Sequence, residues 1–366
     1  MQSIRSIAAL AIGVVIVGAC STPGSGSPIA PSAAVPTPTP VATAATAGTA
    51  ATAATPKPVP ATVRLALDWT PNTNHTGFYV AQADGAYAAE AIDLKIVPYA
   101  STSPEILVSS GAAECGISTQ EGATFAIAAG ARERSVMAIL AHTATEIAAR
   151  DDGSVTRPKD LDGKLYAGFG LPQEIPELQA VIRHDGGTGK FKTATLDTAA
   201  YEALYAGKAD FTITFTGWEA IEARERGVKL KTFAFTDYGV PDSYAVVLVC
   251  NDAWLAAHGD VARRFLAATV AGFEQATTDP AGAAAKLIKA NPGVFDANTA
   301  LPLDSARFLA ERGLYGTPGG VGHQTAEQWG RFSGFLYDTG LLAGANGKPL
   351  AARPDFGTYF TDDYLP

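Results

Sequence analysis

From about Thr62 to Asn251, short apolar runs alternate with longer stretches of helical periodicity, the pattern of a sheet whose strands are joined by helices. Residues 63–67 predict a strand, 77–90 a helix broken at Gly85, and 94–98 a second strand. A helix over 103–110 opens on Ser103-Pro104-Glu105, with the proline in its first turn. Residues 115–118 predict a strand, and Gln120-Glu121-Gly122 leads into a helix over 123–129. A longer apolar strand, 136–146, ends in His142-Thr143-Ala144-Thr145. Turn-forming and charged residues from Asp151-Asp152-Gly153 to Asp162-Gly163 then mark a boundary. The pattern restarts with strands at 165–169, 193–196, 211–215 and 229–235, helices at 172–185, 198–206 and 217–226, and an apolar strand at 244–250. Beyond Asn251 the spacing is helical, at 253–258, 260–277, 279–291, 303–311 and 325–339, and the aromatic, acidic end 356–366 suits packing on the surface.

This pattern describes an α/β protein of two lobes, 62–150 with 246–366 and 151–245, joined by crossings near 143–160 and 238–246. Two crossings form a hinge about which lobes close on a ligand in the cleft between them. The length agrees, because roughly 300 residues exceed what one hydrophobic core comfortably serves.

The N-terminal segment stands apart. Arg5, an apolar stretch over 7–17 too short to span a bilayer, and Val17-Gly18-Ala19 before Cys20 predict a secretory signal over 1–19. A cysteine directly after small residues resembles the lipobox of bacterial lipoproteins, in which Cys20 would be diacylated and anchor the chain to the cell membrane on its extracytoplasmic face. A plain signal with an incidental cysteine is the alternative. Residues 20–61 are almost entirely Ala, Thr, Pro, Ser and Gly, with Lys57 the single charge, and predict a disordered tether reaching roughly 35 Å. Such a composition also suits attached sugars. No second apolar stretch is long enough to cross a membrane.

Charge and cysteines narrow the classes further. A net charge of −9 with no basic stripe argues against a nucleic-acid partner. Cys115 and Cys250 lie in apolar runs, so two buried, unpaired thiols are expected; a disulfide would require their strands to be neighbours. Four Gly-Lys pairs, at Gly163, Gly189, Gly207 and Gly347, precede neither Ser nor Thr, so no P-loop is present. H-E-x-x-H, C-x-x-C, G-x-S-x-G and G-x-G-x-x-G are also missing, and the five histidines have no metal-ligand spacing. No metal, cofactor or catalytic residue is expected.

Polar and aromatic residues recur instead where strands give way to helices. Asp68-Trp69 with Asn72, Asn74 and His75 is the first such cluster, Thr119-Gln120-Glu121 the second, and Thr143 lies at a strand end. Phe169 to Glu174 and Thr214 to Glu219, the latter with Trp218, repeat the theme, and Tyr238 and Tyr244 stand at the second crossing; Tyr79 completes the candidate set. Strand carboxyl ends are where open α/β sheets bind ligands. Aromatic faces with carboxylate and amide edges suit a planar, polar heterocycle. Other roles compete: Trp69 and Trp218 as core, Asp68 and Glu174 as helix caps, Asn72 and Asn74 as turn formers around Pro71, His75 as a cap for backbone groups.

The run LDWTPNTNHTGFYVA over 67–81, with Asp160-Leu161-Asp162-Gly163-Lys164, the Gly170-Leu171-Pro172 turn with Glu174, and Gly217-Trp218 with Glu219, Ala220, Ile221 and Glu222, resembles the signature of solute-binding proteins related to thiamine-pyrimidine synthase. This resemblance spans roughly 62–256 and implies the type II periplasmic-binding fold, with delivery of ligand to an ABC permease and, through it, an ATPase. It implies that Asp68, Trp69 and Asn72 to His75 line the pocket from one lobe, and Glu174, Trp218 and Glu219 from the other. The family's fungal synthases need a cysteine cluster that this chain lacks, which favours transport over synthesis. The family contains binders of thiamine pyrimidine precursors, formylaminopyrimidine or hydroxymethylpyrimidine, and a smaller riboflavin-binding subset. Riboflavin is the first expectation, since two tryptophans and two tyrosines offer more aromatic surface than one pyrimidine ring requires. A secreted pyrimidine-metabolising enzyme and a purely structural envelope lipoprotein are the alternatives of other classes.

Overall fold

The computed structural model describes residues 58–366 except Pro172 and Pro318; the expected signal, Cys20 and most of the tether lie outside the described residues. Ten strands form two five-stranded sheets. In chain order they are β1 (Ala61–Ala66), β2 (Ile92–Val97), β3 (Cys115–Ser118), β4 (Glu133–Ala138), β5 (Thr145–Arg150), β6 (Leu165–Gly168), β7 (Lys192–Thr195), β8 (Phe211–Phe215), β9 (Leu230–Ala234) and β10 (Val247–Asn251). The helices are α1 (Thr76–Ala83), α2 (Ala86–Ala89), α3 (Pro104–Ser109), α4 (Gln120–Ala128), α5 (Glu174–His184), α6 (Ala199–Tyr205) and α7 (Glu219–Glu225). After β10 come α8 (Asp252–Ala257), α9 (Gly259–Thr278), α10 (Pro280–Ala290), α11 (Ala300–Glu311) and α12 (Ala326–Asp338).

Local chemistry sets many of these boundaries. Gly85, at φ 76°, separates α1 from α2. Pro104 opens α3, and the Thr119 hydroxyl accepts a hydrogen bond from the Gly122 amide at 2.9 Å to cap α4. Gln120 and Glu121 therefore sit in the first turn of α4 rather than ahead of it. The long helix α9 crosses α1 closely enough that a Cβ at Gly272 would lie 2.1 Å from the Gly77 carbonyl oxygen. Leu65, Ile117, Leu248, Phe265 and Phe273 are fully buried in the first lobe's core, each worth about 1.5–3 kcal/mol of burial. Ile147, Tyr166 and Phe211 are buried in the second lobe.

Both sheets have the same plan. The first runs β2-β1-β3-β10-β4 and the second β7-β6-β8-β5-β9. Three parallel strands lead each, and one antiparallel strand is inserted before the last. The inserted strands β5 and β10 belong to the two crossings, so each lobe borrows a strand at the hinge.

Three expectations change. The apolar stretch 136–146 is two strands in different sheets, because β4 pairs with β10 while β5 pairs with β8 and β9. The chain thus leaves the first sheet after Ala138, and Thr145–Arg150 belongs to the second sheet rather than the first lobe. The C-terminal end does more than cover the surface: Ser135 in β4 donates to Tyr359 and accepts from Thr361, and Phe360 stacks on the buried Trp329 at 5.9 Å. Finally, Cys115 and Cys250 are bonded to each other. They face one another across the antiparallel β3–β10 pair, a partnership 135 residues apart that no local pattern marks.

Closing so long a loop constrains the unfolded chain, and such bridges typically contribute about 2–4 kcal/mol. A Cys115→Ala/Cys250→Ala double variant is expected to melt roughly 5–10 °C below the oxidised protein by scanning calorimetry. Equal melting temperatures would show that the bridge contributes nothing.

Candidate functional site

The loop after β1 is organised by its own polar residues. The Asn72 side-chain oxygen accepts from the Asn74 amide at 2.8 Å, and its amide group donates to the Thr70 carbonyl at 3.2 Å. His75 Nδ1 accepts from the Asn72 backbone N–H at 3.3 Å, so Nε2 carries the hydrogen that Asp68 accepts at 2.8 Å. Asn72 and the fully buried His75 thus shape the turn, and through it aim Asp68 and Trp69 outward. Asn74 is buried, with its side-chain oxygen left without a partner.

Trp69 is half-buried and meets aromatic rings from both lobes. Tyr99, just beyond β2, lies 5.3 Å away, and Phe169, at the end of β6, lies 5.7 Å away edge-on. Phe169 in turn packs 5.6 Å from Tyr201 of α6. A seam of four rings therefore crosses the cleft. Burial, reinforced by the charges of Asp197 and Asp68, pushes the Tyr99 hydroxyl's pKa up. Asp197 adopts φ 51°, a left-handed conformation unusual for a side-chain-bearing residue.

In the second lobe, carboxylates fold strand ends back on themselves. Glu174 accepts from the Phe169 and Gly170 amides at 3.0 Å each, and Glu219 accepts from the Phe215 amide at 3.0 Å. Neither caps its own helix; each holds the turn preceding it. Burial raises both, Glu219 to about 7, against the opposing pull of these donors.

Glu121 of α4 and Glu177 of α5 meet from opposite lobes, each with a side-chain oxygen buried and unpartnered, and Gln173 stands against Glu121. They line a hinge cavity of about 60 Å³ together with Thr119, Thr143, Pro241 and Ser243. Burial lifts Glu121 to about 7, and burial with the neighbouring Glu121 charge lifts Glu177 well above its ordinary value. A second cross-lobe contact is neutral: the Ser305 hydroxyl of α11 donates to the Gly217 carbonyl and bonds the Thr73 hydroxyl at 2.6 Å.

Several expected ligand residues serve elsewhere. Gln120 is a fully buried strut whose oxygen accepts from the Tyr244 amide at 3.0 Å and whose amide donates to the Gln328 carbonyl at 3.2 Å. Tyr244 is buried, with its hydroxyl accepting from the Thr325 amide at 2.9 Å. Tyr79 packs with Leu287 and Phe295, and Trp218 lies 6.2 Å from Phe295 over the same small cluster. Tyr238 packs on His184 and Phe233, away from the ring seam. Thr143 sits at the hinge, its amide bonded to Asp242 at 3.0 Å.

Sequence reasoning missed Tyr99, Tyr201 and Glu177. Glu177 did leave a signal, since it stands three residues after Glu174 on one helix face. A further buried acid, Glu133 in β4, has both oxygens unpartnered and its pKa pushed up to about 9 by burial, but it lies within the first sheet. Among the described residues no His, Cys, Asp and Glu grouping is suited to a metal ion.

Gln120→Ala would leave the buried Tyr244 amide without its side-chain acceptor, a loss of about 1–3 kcal/mol. A melting temperature several degrees lower is expected in a thermal scan, and an unchanged one would remove Gln120 from the hinge's support.

A family model described as NMT1/THI5 like matches residues 72–283. The formylaminopyrimidine-binding protein of Halalkalibacterium halodurans is 28% identical over 274 residues, covering 73% of this chain and 82% of that protein. The riboflavin-binding protein RibY of Chloroflexus aurantiacus is 23% identical over 391 aligned residues, covering 100% of this chain and 99% of that one. Among solved structures, the alkanesulfonate-binding protein SsuA of Xanthomonas axonopodis pv. citri, bound to MOPS, matches with a TM-score of 0.59 and 15% identity over 78% of this chain and 96% of its own. That likeness is one of fold, the type II periplasmic-binding arrangement of two α/β lobes.

Proposed function

The chain belongs to the NMT1/THI5-like family, and from that premise we propose that it is the extracytoplasmic solute-binding lipoprotein of an ABC importer, carrying riboflavin to a membrane permease and its ATPase. The observation that carries this reading is the ring seam of Trp69, Tyr99, Phe169 and Tyr201 across the cleft. A three-ring flavin has the area to stack within such a seam once the lobes part, whereas one pyrimidine ring would cover a fraction of it. The end-to-end similarity to RibY supports the same cargo. The Cys115–Cys250 disulfide suits an oxidising, extracytoplasmic compartment, and Cys20 supplies the expected lipid anchor.

A thiamine pyrimidine precursor is the second reading, favoured by the buried carboxyls. Glu121, Glu174, Glu177 and Glu219 bring acceptors to the interlobe region, and an aminopyrimidine offers N–H donors to match. The similarity to the formylaminopyrimidine binder supports it. Binding rather than catalysis is proposed in both cases, because Glu174, Glu219 and His75 are engaged in holding backbone turns. Ligand recovered chemically altered after incubation, as seen by mass spectrometry, would instead indicate an enzyme.

Titrating the purified protein with riboflavin is expected to quench both flavin and tryptophan fluorescence at micromolar concentrations. Unchanged signals would overturn the flavin reading, and heat released on adding formylaminopyrimidine would put the second in its place. Trp69→Ala is expected to weaken binding about tenfold through lost stacking, with a small change in melting temperature. A collapse of stability with normal affinity would make Trp69 a core residue.

A further inference from the structure

Glu121 and Glu177 pose a problem that no other contact in the cleft resolves. Each has a side-chain oxygen buried without a donor, and among the described residues no ion pair reaches either one. The groups facing them are acidic or neutral. Gln173 is the residue before α5 and Glu174 stands at its start; from β6 comes the Tyr166 hydroxyl; β5 contributes Thr145, and the crossings contribute Thr143 and Ser243. Asp242, on the second crossing, is occupied by His142 and the Thr143 amide. Two ionised carboxylates in this position would repel each other across the hinge, with no compensating cation and a cavity holding a few waters at most.

The geometry points to a proton-binding latch between the lobes: Glu121 and Glu177 close with one hydrogen shared between their carboxyls and part when it is lost. In the open form both carboxylates face water and titrate in the ordinary range; closure takes one proton from solvent and forms an O–H···O⁻ bond, the arrangement that like-charged carboxyls adopt when forced together. The shifts agree in sign, since both groups hold protons more tightly in the closed form. Closure is therefore fully favoured below the ordinary carboxyl range and weakens as pH rises from that range through the closed form's own values, about 7 for Glu121 and well above the ordinary value for Glu177, where the last shared hydrogen is lost. Of the other cross-lobe contacts, Trp69 on Phe169 and Ser305 on Gly217 are neutral, while Arg224 pairs with Asp304 at 3.4 Å and the Asn298 amide donates to Glu225 at 2.5 Å on the exposed α7–α11 side, where each carboxylate already has a donor. This device concerns closure itself and does not depend on which solute is carried.

The test measures the radius of gyration of the ligand-free protein by small-angle X-ray scattering from pH 5 to pH 9. Wild type is expected to be compact at the acid end and to expand at the alkaline end, the closing constant falling by up to about tenfold per pH unit for one proton. Glu177→Gln should expand less than wild type at the alkaline end, because its amide donates to the Glu121 carboxylate once that is ionised, and Glu121→Gln should do the same from the other side. Glu133→Gln, which removes a buried acid remote from the hinge, should keep the wild-type profile. A wild-type radius that does not change with pH overturns the latch, as does a Gln variant that retains the wild-type transition. If both Gln variants fail to fold, the wild-type profile alone decides. Because shape is the readout, failure to bind riboflavin or the pyrimidine leaves the result standing.

Discussion

The structure depends on the insertion of each crossing strand into its sheet. β5 and β10 run antiparallel to their neighbours and are the second strand from one edge in each lobe. The crossings that deliver them are bonded side by side, with the Ile139 and Leu140 amides both directed at the Val246 carbonyl, at 3.0 and 3.1 Å. Moving either strand would break ladder bonds on both its sides and expose β3 and β8. The hinge is thus confined to the few residues between strands, 139–144 and 235–246. Gln120 bonds the second of these to α4 and α12, which ties helix, hinge and C-terminal region into one support.

That support brings carboxyl groups into a poorly hydrated interface, and the balance of terms differs from one to the next. Burying a carboxylate is costly unless donors replace its water. Glu174 and Glu219 recover part of that cost from backbone amides that the preceding strand end leaves unpaired. They are accordingly structural groups of the strand ends. Glu121 and Glu177 have no such donors, so the cost falls on their ionisation instead. The same residue type therefore gives rigidity at the strand ends and, on the proposed latch, pH sensitivity at the hinge, and the difference lies in whether a strand-end backbone N–H is within reach.

The parallel strands, the helices, the break at Gly85 and the proline opening α3 were legible in the chain because each is set by neighbours within a few residues. The split between β4 and β5 was not, since an apolar stretch reads the same whether it continues in one sheet or passes to another. The Cys115–Cys250 bond escaped for a related reason: its two strands become neighbours through the return of the chain after a whole lobe has been built. At the site, Asp68 and Trp69 stood out because they follow a strand at its carboxyl end. Tyr99 and Tyr201 did not, as each is a lone tyrosine whose ring meets the seam through tertiary packing alone.

The signature run itself divides along the same line. Asn72 and His75, which help make it recognisable, spend their hydrogen bonds on the turn, and Tyr79 is packed into a satellite core. The motif marks the scaffold that aims Asp68 and Trp69, and its hydrogen bonds serve the turn itself. On the proposed reading, selectivity would rest on groups outside or beside it: the extent of the ring seam set by Tyr99, Phe169 and Tyr201, and the acceptors and protons of the interlobe carboxyls.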